Sequence, residues 1–131
     1  MRMFSRVCRL GFMVLVMGGA IAPATGEEME LISPQEASTL YAAKKAVIVD
    51  VREDSEWNER HIPGVIHIPL AQLNDRLPEL KQYQNSPVIT QCKSGRRSAQ
   101  ALEVLKAAGF SKVYSMDGGI MAWDKAGLKT E

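Results

Sequence analysis

Between the apolar run Pro87 to Thr90 and the helically spaced run Ala99 to Ala108 stand only eight residues, Gln91-Cys92-Lys93-Ser94-Gly95-Arg96-Arg97-Ser98. A strand that passes into a helix over so short a connection belongs to an alternating α/β layer. In an open sheet of this kind the ligand site lies just past the carboxyl end of a strand, where a helix begins. This is the one such junction in the chain that carries a nucleophile, so Cys92 is the expected seat of the chemistry.

A second segment fixes the sheet type. Ala46-Val47-Ile48-Val49-Asp50-Val51 is almost continuously β-branched, the mark of a strand covered on both faces and therefore of a central position in a parallel sheet. Around it the spacing predicts an edge strand at Met29 to Ile32 and a helix opened by Ser33-Pro34-Gln35-Glu36, with Ser33 as N-cap, Pro34 at the first helical position and Glu36 closing a capping box. Arg52 to Arg60 reads as a short charged helix, and Val65 to Ile68 as a short strand bracketed by Pro63 and Pro69. Leu70, Leu73, Leu77 and Leu80 fall at helical spacing, with Pro78 breaking that segment in two. A strand at Lys112 to Ser115 and a helix at Gly118 to Lys125 close the chain. The expected architecture is one α/β domain: an open, twisted, mainly parallel sheet of about five strands with helices on both faces.

The first 26 residues stand apart. Arg2, Arg6 and Arg9 without any acid, an apolar run from Leu10 to Ala22, and the small-residue sites Ala22-Pro23-Ala24 and Ala24-Thr25-Gly26 read as a secretory signal peptide cleaved after Ala24 or Gly26. A helix of that run rises only about 20 Å, short of the roughly 30 Å hydrocarbon core, which disfavours a spanning anchor. The domain is then residues 27–131, placed in the periplasm or outside the cell with no stable membrane association after cleavage. Removing three arginines from the 16 basic residues leaves 13 against 15 acids, a balance that gives no reason to expect nucleic acid as a partner. Cys8 leaves with the leader, so Cys92 becomes the one thiol of the mature chain, without a disulfide partner.

The junction loop has the parts that a reactive thiol needs. Gly95 permits the positive φ of a tight curl, and a curl that ends at a helix N-terminus aims successive N–H groups at one spot, making a nest for an anion with Cys92 at its rim. The helix dipole and the cations Lys93, Arg96 and Arg97 favour thiolate over thiol, and the thiolate is the nucleophile. Phosphatase, redox protein and sulfurtransferase all remain compatible with a cysteine so placed. A cradle of the cysteine-phosphatase pattern sets five residues between cysteine and arginine. Here four intervene, and the smaller ring suits a single sulfur.

Four segments in order carry a family resemblance. Val49-Asp50-Val51-Arg52 is similar to an Asp-Val-Arg strand end. The stretch Glu56 to Pro69 resembles Glu-(Phe/Trp)-x-x-Gly-His-Ile-Pro-Gly-Ala-x-Asn-(Ile/Leu)-Pro, with Arg60, Val65 and His67 in place of glycine, alanine and asparagine. Cys92 to Ser98 resembles Cys-(Arg/Lys)-x-Gly-x-Arg-(Ser/Thr), and Gly118 to Trp123 resembles Gly-Gly-x-x-x-Trp. Together they make the chain resemble a single-domain rhodanese, a thiosulfate-type sulfurtransferase.

The resemblance implies a ping-pong cycle in which Cys92 takes the outer sulfur of a thiosulfate-like donor, becomes a persulfide, and yields that sulfur to cyanide or to a thiol, protein thiols included. In it Lys93, Ser94, Gly95, Arg96, Arg97 and Ser98 form the persulfide cradle through their N–H groups. Arg97 is assigned to bracing the loop and binding the donor, and Lys93 and Arg96 to steering it in. A persulfide relay to a protein acceptor and a noncatalytic binding module are the alternatives, the second disfavoured by the intact Cys92 loop.

Other polar residues have plainer readings. Asp50 and Arg52 serve as structural support through an ion pair, with Glu56 as a candidate partner of Arg52, and Glu53, Asp54, Glu56 and Glu59 form a solvated helix face. His61 and His67 lack a third ligand nearby in sequence, and no metal or cofactor is expected. Trp57, Trp123 and the methionines Met29, Met116 and Met121 are read as packing residues.

Overall fold

The computed structural model describes residues 30–131. The expected signal peptide and the start of the first strand at Met29 lie outside the described residues. Five strands form one sheet in the order β1-β5-β4-β2-β3, with every neighbouring pair parallel. They are β1 (Leu31–Ile32), β2 (Val47–Asp50), β3 (Ile66–His67), β4 (Val88–Gln91) and β5 (Val113–Met116). The helices are α1 (Pro34–Ala42), α2 (Asp54–Glu59), α3 (Arg96–Ala107) and α4 (Gly119–Lys125).

Alternation along the strands divides the core in two. On one face Val49, Val51, Val88 and Val113 pack with Ala101, Leu102 and Leu105 of α3; on the other, Ile48, Ile89 and Met116 pack with Ala37 of α1 and with Ile120 and Trp123 of α4. Both faces are therefore covered, as the β-branched run of β2 requires. Ser33 caps α1 by accepting the Glu36 N–H at 3.1 Å, with Pro34 in the first turn.

The leucine-spaced segment differs from the expectation of a broken α-helix. It forms two 3-10 helices, Leu70–Gln72 and Leu77–Tyr83, and Pro78 stands in the first turn of the second rather than in the middle of a longer one. Leu73 and Leu80 are nonetheless fully buried, with Leu70 and Leu77 packed beside them. The periodicity reported the buried face; the tighter helix follows from a segment too short and too proline-interrupted to propagate i→i−4 bonds.

The topology fixes where a site can form. The chain leaves β2 toward β3 on one side and leaves β4 toward β5 on the other, so the adjacent strands β2 and β4 flank the point where the winding reverses. Past their carboxyl ends lies the crevice of a doubly wound sheet. Asp50 pairs in register with Gln91 there, and the Val51 N–H donates to the Gln91 carbonyl at 2.9 Å, so the two exits leave side by side.

Candidate functional site

Cys92 follows β4 at this crevice. The loop is shorter than its sequence suggests, because α3 already begins at Arg96 and Arg96, Arg97 and Ser98 make its first turn. Gly95 is the N-cap at φ +117°, a conformation that disfavours any side chain. Its N–H points back to Cys92 Sγ at 3.1 Å. The sulfur thus sits against the N-terminus of α3, where unpaired N–H groups and the helix dipole favour negative charge.

Burial pushes the Cys92 thiol up, but the Ser98 hydroxyl and the N–H groups of Ser98, Gly95 and Ser94 outweigh it and hold the thiol below its ordinary value. Contrary to the expectation of a cysteine at the rim, Cys92 is 1% exposed and forms the floor of the cradle. The side chain continues the apolar core under α3, and Lys93, Ser94 and Arg96 are the exposed residues above it.

The loop's carbonyls are drawn away from the sulfur. Ile120 N–H donates to the Cys92 carbonyl at 2.8 Å and Met121 N–H to the Lys93 carbonyl at 3.1 Å, so the first turn of α4 docks directly on the loop backbone. Gly119, at φ +58°, permits the approach, since a Cβ there would lie 2.4 Å from the Cys92 carbonyl oxygen. Gln91 Nε2 donates to the same carbonyl at 2.9 Å. With the Cys92 and Lys93 carbonyls engaged by α4, the Gly95 N–H is left facing the sulfur.

The supporting charges are paired differently from the expectation. Arg52 forms its ion pair with Asp50, Nη2 to Oδ2 at 2.8 Å, and touches only the backbone carbonyl of Glu56. Glu56 is instead half-buried and grips Arg97 with both oxygens, at 2.5 and 3.0 Å. It is therefore not part of a solvated face. The sequence reading missed this residue because its partner lies 41 positions away; the Glu-Trp pair of the family-like segment was the available signal. Arg97 ties the first turn of α3 to α2 through Glu56, which matches its charge and leaves Lys93 and Arg96 as the exposed cations at the mouth.

The Arg97 guanidinium pulls the Glu56 carboxyl from 4.5 down to about 2. A carboxyl depressed on folding contributes stability that is complete above its unfolded value and is lost as pH falls toward the folded one. Thermal melts of the protein are expected to drop between about pH 5 and pH 2, and the Glu56→Gln protein to lose less over that interval. Parallel melting profiles for the two proteins would show that the pair adds nothing.

His61 and His67 do not converge on a common ligand position. They stack on opposite sides of Trp57, with ring centroids at 3.7 and 4.6 Å and planes within 4°. His61 Nδ1–H donates to the Trp57 carbonyl and His67 Nε2–H to the Arg52 carbonyl. Arg60, in the place of a family glycine, has φ −171°, extended backbone that any residue adopts, and pairs with Asp124.

A family model described as rhodanese-like domain matches residues 33–126. The chain belongs to the rhodanese-like family. Among curated relatives, the thiosulfate sulfurtransferase GlpE of Tolumonas auensis is 34% identical over 94 residues, covering 70% of the chain and 85% of GlpE. A putative sulfur carrier protein of Bacillus subtilis, YrkF, is 43% identical over 76 residues, 58% of the chain and 40% of YrkF. Among solved structures, a rhodanese-like domain protein of Staphylococcus aureus superposes with TM-score 0.65 at 33% identity, covering 72% of the chain and 91% of that protein. Several other curated relatives are much longer, and the chain spans 54% and 24% of two of them.

Proposed function

We propose that this rhodanese is a sulfurtransferase that carries sulfane sulfur as a persulfide on Cys92. The observation that carries the reading is the seat of Sγ, 3.1 Å from the Gly95 N–H at the N-terminus of α3. In the first half-reaction the Cys92 thiolate attacks the outer sulfur of thiosulfate. A bond forms between Sγ and that sulfur, the bond between the two thiosulfate sulfurs breaks, and sulfite leaves with the electron pair. In the second, cyanide or a thiolate attacks the terminal sulfur, and Cys92 departs as thiolate.

The chain's own groups have distinct tasks in both halves. N–H donors of the loop and first helical turn stabilise negative charge on sulfur before, during and after transfer, as an oxyanion hole does for oxygen. Lys93 and Arg96, exposed above a buried sulfur, raise the local concentration of an anionic donor, an effect that falls with ionic strength. Incubation with thiosulfate is expected to add one sulfur atom to the protein by intact mass, and addition of cyanide to remove it. A protein whose mass never changes would overturn the persulfide.

Relay to a protein thiol is the second reading, supported by the relative named as a putative sulfur carrier. Discharge of the loaded protein onto a reduced protein thiol much faster than onto cyanide would favour it. We further propose, from the Arg-flanked apolar run at the N-terminus, that the chain is exported to the periplasm or beyond. The exported form is expected to begin at Thr25 or Glu27 by N-terminal sequencing; an uncleaved chain confined to the cytoplasm would refute export.

A further inference from the structure

Three buried hydroxyls lie beneath the Cys92 loop, from Thr90, Ser98 and Ser115, which are 0%, 0% and 2% exposed. Thr90 Oγ1 donates to the Ser98 carbonyl at 2.8 Å and pins the first turn of α3 to β4. Ser98 Oγ lies 3.5 Å from Cys92 Sγ, 3.0 Å from the Gly95 carbonyl and 2.8 Å from Ser115 Oγ. Polar groups so deep in an apolar core are costly unless bonded, and a network of them is sensitive to each member.

The proton count gives the network a direction. A serine hydroxyl has one proton to donate and two lone pairs with which to accept. Among the described residues, Ser98 Oγ is the one hydrogen-bond partner of Ser115 Oγ. Donation from Ser115 to Ser98 is the arrangement that leaves neither hydroxyl proton without an acceptor within the protein.

With Cys92 as a thiol, its S–H and the Ser115 O–H fill both lone pairs of Ser98, whose own proton goes to the Gly95 carbonyl. When the sulfur becomes an anion it can only accept, and the Ser98 proton is free to turn onto it. The Gly95 carbonyl is not stranded by that rotation, because it keeps the Ala99 N–H at 3.1 Å.

We infer that Ser115, on the strand beside β4, is a positioning residue for Cys92: by donating to Ser98 it reserves the Ser98 hydroxyl for the sulfur anion. The inference rests on Cys92 being the reacting group and extends its support to a residue 23 positions away that never touches it. A hydroxyl that receives a hydrogen bond is also a stronger donor, so the Ser115 contact strengthens the bond Ser98 makes to sulfur.

The test follows the iodoacetamide alkylation rate of the Cys92 peptide against pH in the full chain, by mass spectrometry, which keeps Cys8 separate. Ser115→Ala is expected to move the midpoint of the profile upward, so that alkylation on the acid side slows by about 5- to 10-fold while the alkaline plateau is unchanged. Ser115→Thr keeps the hydroxyl and is expected to retain the original profile. Ser115→Val, of the same shape as threonine without the hydroxyl, is expected to follow alanine. Alanine and valine profiles that overlay the original would overturn the inference, as would a threonine profile shifted as far as valine's. Persulfide loading from thiosulfate is measured on the same unmodified protein. A shifted Ser115→Ala profile without any loading would support the role of Ser115 toward the thiolate and overturn sulfur transfer.

Discussion

Cys92→Ser is expected to yield a folded protein that takes up no sulfur from thiosulfate and passes none to cyanide, a loss of at least roughly 10⁴-fold in rate. The cradle would remain, since Gly95 N–H and the Ser98 hydroxyl can bond a serine oxygen as they bond sulfur. Serine, however, does not ionise near neutral pH, and its oxygen cannot form the labile disulfide-like bond that stores a sulfane sulfur. Intact mass after thiosulfate and thiocyanate formation are the two readouts, with a thermal melt as the check on folding. Cys8→Ser, examined alongside, is expected to behave as the unmodified chain. Transfer that survives in Cys92→Ser at more than background would move the chemistry to another atom.

The parts of this site that were legible in the sequence are those built by neighbours. Val47 to Val51 and Val88 to Gln91 are local β-branched or apolar runs, so the sheet and the exit of Cys92 could be read directly. Gly95 similarly announces its own turn. Partnerships across the fold were not legible. Glu56 stands among Glu53, Asp54 and Glu59 and has the composition of a solvated face; only the packing of α2 beside the first turn of α3 turns it toward Arg97. Ser115 is one polar residue in a four-residue strand, and its bond to Ser98 depends on the β5-β4 pairing and on the docking of α3 together. Depth also escaped the reading. A curled loop suggests a nucleophile at the rim, whereas the register of β4 sends the Cys92 side chain into the core face that holds Val51 and Leu102.

Asp50→Ala is expected to cost about 3–5 kcal/mol of stability, because it strands a buried guanidinium without its counterion. Asp50 is fully buried and Arg52 3% exposed, and the carboxylate accepts from Arg52 N, Nε and Nη2 at 2.8 to 3.1 Å. The melting temperature should fall by more than about 10 °C. The consequence reaches the loop through a defined route. Arg52 Nη2 also donates to the Arg60 carbonyl at 2.8 Å, tying the C-terminus of α2 to the end of β2, and α2 carries the Glu56 that holds Arg97. Loss of Asp50 should therefore weaken the loop's brace as well as the fold. Removing both charges, in Asp50→Ala/Arg52→Ala, should cost less than the sum of the two single losses, since no unpaired buried charge remains. A double loss equal to the sum would show that the two residues act independently, and that no ion-pair coupling at the end of β2 stabilises the fold.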